Sequence, residues 1–347
     1  MSFLLKGKNM KKVNVEDAIG MVLCHDMTQI IPGVVKDAKF RKGHVITKED
    51  IPVLLSMGKK NIFVYEVDET MMHENDAAIS LCDMCISENL TATDVKEGKI
   101  MLKSKIKGYL SIDKDKLKKA NMHNDIVIST IKNGNVEVNE TVAGMRVVPL
   151  VIEKNKIAEV RSAIGNEAII KVFPYKIKSF GMVVTGSEVK EKIIKDEFSP
   201  VVEKKLEKFG VKLIDKIYSG DDKEKIIEGI RELKNKGAEL ICCTGGMSVD
   251  PDDMTPSAIM ESGARVVTYG APFLPGAMMM LSYFDDDTPI IGLPGCVMYA
   301  ASTVFDVLLP KLLAKIKWTR EDIIDMGYGG LCRQCKTCHF PNCSFGN

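Results

Sequence analysis

Two short stretches of this chain hold residue types that can do chemistry. Residues 243–259, CTGGMSVDPDDMTPSAI, set two glycines, two serines, three aspartates and a Thr-Pro pair between an apolar run and a helix-like segment. Glycines let backbone N–H groups approach an anion, and neighbouring hydroxyls add donors, so Thr244, Gly245, Gly246 and Ser248 form a candidate phosphate cradle. Asp250, Asp252 and Asp253 would repel that anion unless a cation stood between, as at magnesium–phosphate sites; Asp196, in VKEKIIKDEF, offers a second acid. The plainer alternative keeps Asp253 as the cap of the helix TPSAIMESG, with Thr255 and Pro256 in its first turn, and leaves Asp250 and Asp252 as solvated loop acids. One residue can serve both roles.

The second stretch, GYGGLCRQCKTCHFPNCSFG, places Cys332, Cys335, Cys338 and Cys343 in a C-x2-C-x2-C-x4-C run. Four thiolates so spaced point to a metal, either an iron–sulfur cluster or zinc; an unliganded reactive or metal-delivering tail is the third reading. The bacterial ferredoxin run has three residues before its last cysteine and proline after it, whereas here four intervene and Ser344 follows. His339 reads as a bystander. The tail cannot build a core of its own, so metal would decide whether it folds.

The elements that must position these residues are legible from about Ile177. IKSFGMVVTG reads as a buried strand and SPVVEKKLEKFG as a helix, with Ser199 as N-cap, Pro200 in the first helical position, a Val201, Val202, Leu206, Phe209 stripe and Gly210 at its end. VKLIDKIYSG is the next strand. DDKEKIIEGIRELKNKG is the next helix, with Asp221 and Glu224 as a capping box and Gly237 closing it. AELICCTGG and PIIGLPG are further strands, and one long helix is expected from Val297 to Ile316. This alternation predicts a three-layer, mostly parallel α/β domain. Ligands bind beyond the carboxyl ends of such strands, where Thr185-Gly186-Ser187-Glu188, Ser219-Gly220-Asp221-Asp222, Thr244-Gly245-Gly246 and Gly292-Leu293-Pro294-Gly295 gather. The amino half is mixed α+β and β-rich, with a hairpin turn expected at Asn133-Gly134-Asn135. Cys82 and Cys85 share a helical stripe with Ile79 and Ile86 and read as core. The expected domains are 1–70, 71–170, 171–318 and the tail 319–347.

The totals bound the partners. Forty-eight basic residues oppose forty-seven acidic ones among 347, for a net charge of +1, and no single-sign block forms a polyanion-binding arm. Nucleic acid is therefore not an expected partner. The apolar stretch Ala271 to Phe284 is broken by Pro272, Pro275 and Gly276 and is too short for a bilayer span. MSFLLKGKNMKK lacks the core and cleavage site of a secretory leader, and Met10 offers an alternative start. A cytoplasmic location follows as an expectation, and the ten cysteines need an explanation other than disulfides.

TGSEV, Asp196, TGGMSVDPDDMTP and GLPG, in this order, resemble the molybdopterin-binding domain shared by molybdopterin molybdenumtransferase and molybdopterin adenylyltransferase, over roughly 175–316. The glycine loop looks like a blend, with Gly245-Gly246-x-Ser248-Val249 resembling the molybdenumtransferase and Asp253-x-Thr255-Pro256 the adenylyltransferase. VEDAIGMVLCHDMT resembles the opening of the molybdenumtransferase. The resemblance implies a pterin dithiolene phosphate on the glycine loop and, with Mg2+, insertion of molybdate into adenylylated molybdopterin, or a carrier or sensor that uses the same pocket without turnover. Carried onto this chain, Asp253 is the main metal- or molybdate-positioning acid and Asp196 the second. Thr185, Gly186, Ser187, Thr244, Gly245, Gly246, Ser248, Asp250, Thr255, Pro275, Gly276, Gly292, Pro294 and Gly295 are then cofactor-binding. It also implies a homodimer or trimer and a molybdoenzyme or cofactor-delivery partner. The chain departs from the pattern in two places: Ala277 and Met278 stand where the transferase has lysine after Pro-Gly, and Cys296, Val297 and Met298 follow GLPG where the families carry Asn-Pro or Gln-Pro and a serine. Cys296 reads as a small buried thiol, with a soft ligand as the alternative, and LPGAMMMLSYF reads as core.

Overall fold

The computed structural model describes residues 10–31, 35–65, 70–191, 193–248 and 250–346. The opening residues read above as no leader, and Val249 of the glycine-loop motif, lie outside the described residues. Two compact units divide the chain: Met1–Ile106 with Ser111–Ile131 and Glu137–Val172, and Phe173–Asn347 with the short excursions Lys107–Leu110 and Lys132–Val136. Among the described residues no helix is long and apolar enough to cross a membrane.

The first unit is mixed and largely antiparallel, as its composition predicts. Met10–Asn14 pairs with Asn61–Tyr65, and Leu90–Ala92, Lys99–Ser104, Thr141–Val147 and Ile126–Thr130 form a four-stranded sheet in that order. The helix Glu74–Cys85 buries Ala77, Ala78, Leu81, Cys82, Met84 and Cys85. The two cysteines are therefore core, and burial pushes the Cys85 thiol up to about 12. Ile79 is not in that stripe, since it is 46% exposed. His73 caps this helix: its Nδ1 accepts from the Asn75 amide at 3.1 Å. Nε2 must then carry the proton, which it donates to the Cys24 carbonyl at 2.5 Å.

The expected hairpin at Asn133-Gly134-Asn135 does not form. Ile126–Thr130 pairs with Thr141–Val147, while Gly134–Val136 pairs with Gly108–Leu110 in the second unit. The Tyr175 hydroxyl lies 2.8 Å from Asn135 Oδ1 and 3.0 Å from the Gly108 carbonyl, so a tertiary partner outcompetes the local turn.

The second unit is built on a six-stranded sheet. In chain order its elements are β1 (Ser179–Val184), α1 (Ser187–Lys190), α2 (Phe198–Glu207), β2 (Lys212–Tyr218), α3 (Lys223–Asn235), β3 (Ile241–Thr244), α4 (Thr255–Glu261), β4 (Arg265–Tyr269), β5 (Met280–Tyr283), β6 (Pro289–Leu293), α5 (Cys296–Tyr299), α6 (Val304–Leu313) and α7 (Arg320–Asp325). The strand order is β2-β1-β3-β6-β5-β4; the first four are parallel, and β5 and β4 close the sheet antiparallel. Phe180, Met182, Cys242 and Ile291 meet Val202 and Leu206 of α2 and Phe305 and Leu308 of α6 on one face. Val183, Ile241, Cys243 and Ile290 meet Ile226, Ile230 and Leu233 of α3 and Ala258 and Ile259 of α4 on the other. The three-layer, mostly parallel expectation is met. Both faces are covered, which explains strands that read as continuous apolar runs.

Three boundary expectations are corrected. Helix α2 starts at Phe198 with Glu197 as its N-cap residue, and Asp196 just before it supplies the capping bonds, its Oδ1 accepting from the amides of Phe198 at 3.1 Å and Ser199 at 2.9 Å. Ser199 and Pro200 thus sit inside the first turn. Helix α3 is capped by Asp222, which accepts from the Lys225 amide at 3.2 Å, because Asp221 is drawn elsewhere. The long helix from Val297 breaks at 300–303 into α5 and α6: Ala300 is extended, and Thr303 and Asp306 form a reciprocal capping box. Lys205 fixes that break, its ammonium donating to Asp306 Oδ1 at 2.6 Å and to the Ala301 carbonyl at 3.1 Å.

Two outcomes are expected. Lys205→Met leaves the Asp306 carboxylate buried without its counter-charge and should cost about 3 kcal/mol in urea unfolding; a loss under about 1 kcal/mol would show that the pair does not hold this junction. For His73, burial first and the Lys42 charge second lower the folded pKa from 6.5 to about 4. The unfolded chain therefore binds the extra proton first, so stability is full above pH 6.5 and is lost as pH falls towards 4. The thermal midpoint should drop across that window, and the drop should be shallower in His73→Gln; an equal drop in both would clear His73 of it.

Candidate functional site

Strands β1 and β3 are neighbours, yet the chain leaves them to opposite faces: β1 leads to α2 on one face and β3 to α4 on the other. Such a switch point opens a crevice beyond the carboxyl ends of the two strands. Thr185 ends β1 there and Thr244 ends β3. Thr185 donates from both its amide, at 2.9 Å, and its hydroxyl, at 3.0 Å, to the Thr244 carbonyl. The Thr255 hydroxyl, from the start of α4, donates to the Gly245 carbonyl at 2.9 Å and stands 3.4 Å from the Thr185 hydroxyl. Gly245 and Gly246 both adopt positive φ, 85° and 54°. A Cβ on Gly245 would lie 2.6 Å from Thr185 Oγ1, and one on Gly246 2.9 Å from Thr255 Oγ1 and 3.6 Å from Asp253 Oδ1. Only glycine fits this turn, and the space a side chain would fill lies beside two hydroxyls and a carboxylate. Thr244 Oγ1 is buried and has no hydrogen-bond partner among the described residues.

Asp253 is half-buried and accepts from the Ser248 amide at 2.8 Å through Oδ2, which closes the loop. It does not cap α4, whose N-cap, Met254, makes no side-chain cap bond. Asp250 and Asp252 are exposed. Tyr269, at the end of β4, donates to the Met247 carbonyl at 3.3 Å; burial, then the nearby Asp253 carboxylate, raise its pKa. Tyr269 was not legible as a site residue, because only the fold brings β4 to this loop. Asp221 is the second such residue. It accepts from the Gly186 amide at 3.0 Å and the Ser187 amide at 2.8 Å and so shapes the loop after β1. Lys190 donates to the Ser219 carbonyl at 3.1 Å from the same loop pair.

Asp196 is spent differently. Besides its two helix-capping bonds it accepts from the Tyr218 hydroxyl at 3.1 Å and lies 3.8 Å from the Lys216 ammonium, beside an open hollow of about 560 Å3. Burial opposes its charge, but the bonds from Ser199 and Tyr218 and the Lys216 charge outweigh it and hold the carboxyl below the ordinary range. Pro275 and Gly276 pack on the start of α6, where the Val304 amide donates to the Pro275 carbonyl at 3.3 Å. A Cβ on Gly276 would meet Val304 Cγ1 at 2.5 Å. Gly292 leaves room for Met247, whose sulfur would be 2.6 Å from a Cβ there. Pro294 is buried, and its carbonyl accepts from the Val297 amide at 3.0 Å; Gly295 is exposed. Thr185, Thr244, Gly245, Gly246, Ser248, Asp253 and Thr255 are thus gathered in one cradle. Cys332, Cys335, Cys338 and Cys343 line a separate cavity with Pro275. Among the described residues no three His, Cys, Asp or Glu side chains stand together as metal ligands.

A doubly covered, mostly parallel sheet with a glycine-and-hydroxyl cradle at its switch point defines a doubly wound α/β domain. Residues 181–315 match a family described as "Probable molybdopterin binding domain", and residues 12–66 match a domain of unknown function, DUF8806. Over residues 181–315, then, the chain is similar to a molybdopterin-binding family. A CinA-like protein of Thermosipho melanesiensis is 29% identical over 108 residues, 31% of this chain and 27% of that protein, so the match spans about a quarter of the relative's length. Among solved structures, the tungsten cofactor synthesizing protein MoaB of Pyrococcus furiosus is 18% identical at a TM-score of 0.31, over 35% of this chain and 84% of that one. The molybdopterin biosynthesis moea protein of Pyrococcus horikosii is 15% identical at a TM-score of 0.34, over 88% and 75%.

The unpartnered Thr244 hydroxyl gives a separable prediction. Thr244→Val keeps the shape and should leave stability unchanged or raise it by about 1 kcal/mol, while weakening the binding of a pterin phosphate. A clear loss of stability in unfolding experiments would make the hydroxyl structural.

Proposed function

We propose that the chain binds molybdopterin through its phosphate at the β1–β3 switch point and acts in molybdenum cofactor biosynthesis, inserting molybdate into the adenylylated pterin. The observation that carries this reading is the buried Thr244 hydroxyl without a partner, next to two glycines whose turn admits no side chain. An anion would supply the missing partner, and backbone N–H groups would supply the rest. The family match of residues 181–315 supports the same role.

Mg2+ fits Asp253 and not Asp196. The Asp253 carboxylate stands beside the space that a Gly246 side chain would occupy, and hard oxygen donors with water suit this ion. Both oxygens of Asp196 are committed to α2 and Tyr218. Bound there, Mg2+ would neutralise charge on the phosphate and the transferring group. The chain's own part is to hold the phosphate against Thr185, Thr244 and Thr255, to keep the loop closed through Asp253 and the Ser248 amide, and to place the pterin beside Tyr269.

Ala277, Met278 and Cys296 offer no charge where the transferase pattern is polar, and this favours a second reading, a cofactor carrier without turnover. Molybdate-dependent release of AMP from adenylylated molybdopterin separates the two. Asp253→Asn should lower that release at least about 100-fold, on the order of 3 kcal/mol, with the fold intact. Pterin bound tightly without AMP release would select the carrier, and no pterin binding at all would remove both readings.

A further inference from the structure

The tail after α7 has no helix or strand among its described residues, yet it is held at both ends. The Cys332 amide donates to the Leu274 carbonyl at 2.8 Å, and the Gly346 amide to the Gly329 carbonyl at 2.9 Å. Phe345, only 2% exposed, packs edge-on against Phe273 at 5.8 Å, and the Lys132 ammonium reaches the carbonyls of Cys343 at 2.9 Å and Phe345 at 3.0 Å. The first and last cysteines are therefore fixed to the domain. Cys335 and Cys338 ride on the exposed arc between them, and Cys338 Sγ lies 3.2 Å from Ser302 Oγ. All four thiols line one cavity of about 460 Å3 whose far wall is the loop Tyr299–Ser302.

We propose that Cys332, Cys335, Cys338 and Cys343 form a thiolate metal centre seated against Tyr299–Ser302, and that loading it orders this loop between α5 and α6. Two independent observations meet here: the C-x2-C-x2-C-x4-C spacing, and a fold that returns all four thiols to one cavity. Between its anchors the arc packs the half-buried Phe340 against Phe345 at 6.1 Å, and a ligated ion adds the cross-link that a larger core would otherwise give. Among the described residues these thiols do not stand together as a ligand set, so convergence requires movement of side chains on the arc. Soft thiolates select zinc or an iron–sulfur cluster over magnesium or calcium, and each ligating thiol gives its proton to solvent. Tyr299, 84% exposed, borders the same cavity and is covered when the arc closes. The centre stands apart from the reading of the glycine cradle, and its test needs no pterin.

The experiment uses the reduced full-length chain under anaerobic conditions, titrated with Zn2+, with Co2+ as a visible probe, and separately reconstituted with Fe2+ and sulfide. One equivalent of zinc with a cobalt–thiolate charge-transfer spectrum identifies a zinc centre; a stoichiometric sulfide-dependent chromophore identifies a cluster. Cys335→Ser and Cys338→Ser change exposed residues, so the fold is not at stake, and unchanged emission of the buried Trp318 verifies it. Each should weaken metal binding at least about tenfold. Hydrogen exchange across 299–302 should slow on loading in the unaltered chain and not in these variants. Absence of stoichiometric binding, or binding that survives both substitutions, overturns the centre. Unchanged exchange in a loaded chain overturns its hold on the loop.

Discussion

One steric limit organises the second unit: no Cβ can stand at Gly245, because Thr185 Oγ1 would be 2.6 Å away. That closeness is possible because β1 and β3 are hydrogen-bonded parallel neighbours up to Val184 and Thr244. It is useful because their chains then part to opposite faces. The loop must turn with positive φ, and the hydroxyls of Thr185 and Thr255 stand 3.4 Å apart beside it. Replacing either glycine would push the strand ends apart, so the register of the sheet and the shape of the cradle are one constraint.

Most carboxylates along this edge hold backbone rather than ligand. Asp196 caps α2, Asp221 shapes the loop after β1, Asp222 caps α3, and Asp306 caps α6 while pairing with Lys205. Every one satisfies amides that a strand-to-helix turn leaves orphaned. Asp253 is the exception in degree. It too accepts an amide, but through one oxygen, and its other oxygen faces the glycine turn. Division of labour among acids, rather than their number, therefore singles out Asp253 for the proposed role.

The sequence carried the architecture of this unit because three signals agreed in it: apolar strands, amphipathic helices, and glycines with positive φ at 210 and 237 that end them. The gathering of Thr185, Thr244, Gly245 and Gly246 at the strand ends was legible for the same reason, since the glycines and hydroxyls directly follow the apolar strand runs. The caps were not legible, because Asp196 against Ser199, and Asp221 against Asp222, differ by a residue or two and only the partner amides decide. The break before α6 had a local signature in Thr303 and Asp306, masked by the strongly apolar run around them. The missing hairpin and Tyr269 had none, since the pairing of Gly134–Val136 with Gly108–Leu110 and the approach of β4 to the loop are set by distant chain.

The cysteines divide by solvation into two populations with different physics. Cys242 and Cys243 are fully buried in β3, and desolvation drives both thiols upward, Cys243 to about 12. Thiols so placed stay protonated and serve as small apolar packing on the two faces of the sheet, as do Cys82 and Cys85 in the first unit. The tail thiols stand at or near the surface, three of them exposed, on a segment whose ends are fixed and whose middle packs through Phe340. The fixed ends lower the entropy lost on closing the arc. A chain that needed only small apolar side chains would gain nothing from four of them in this position. Exposure, spacing and tethering together are what the proposed thiolate centre rests on.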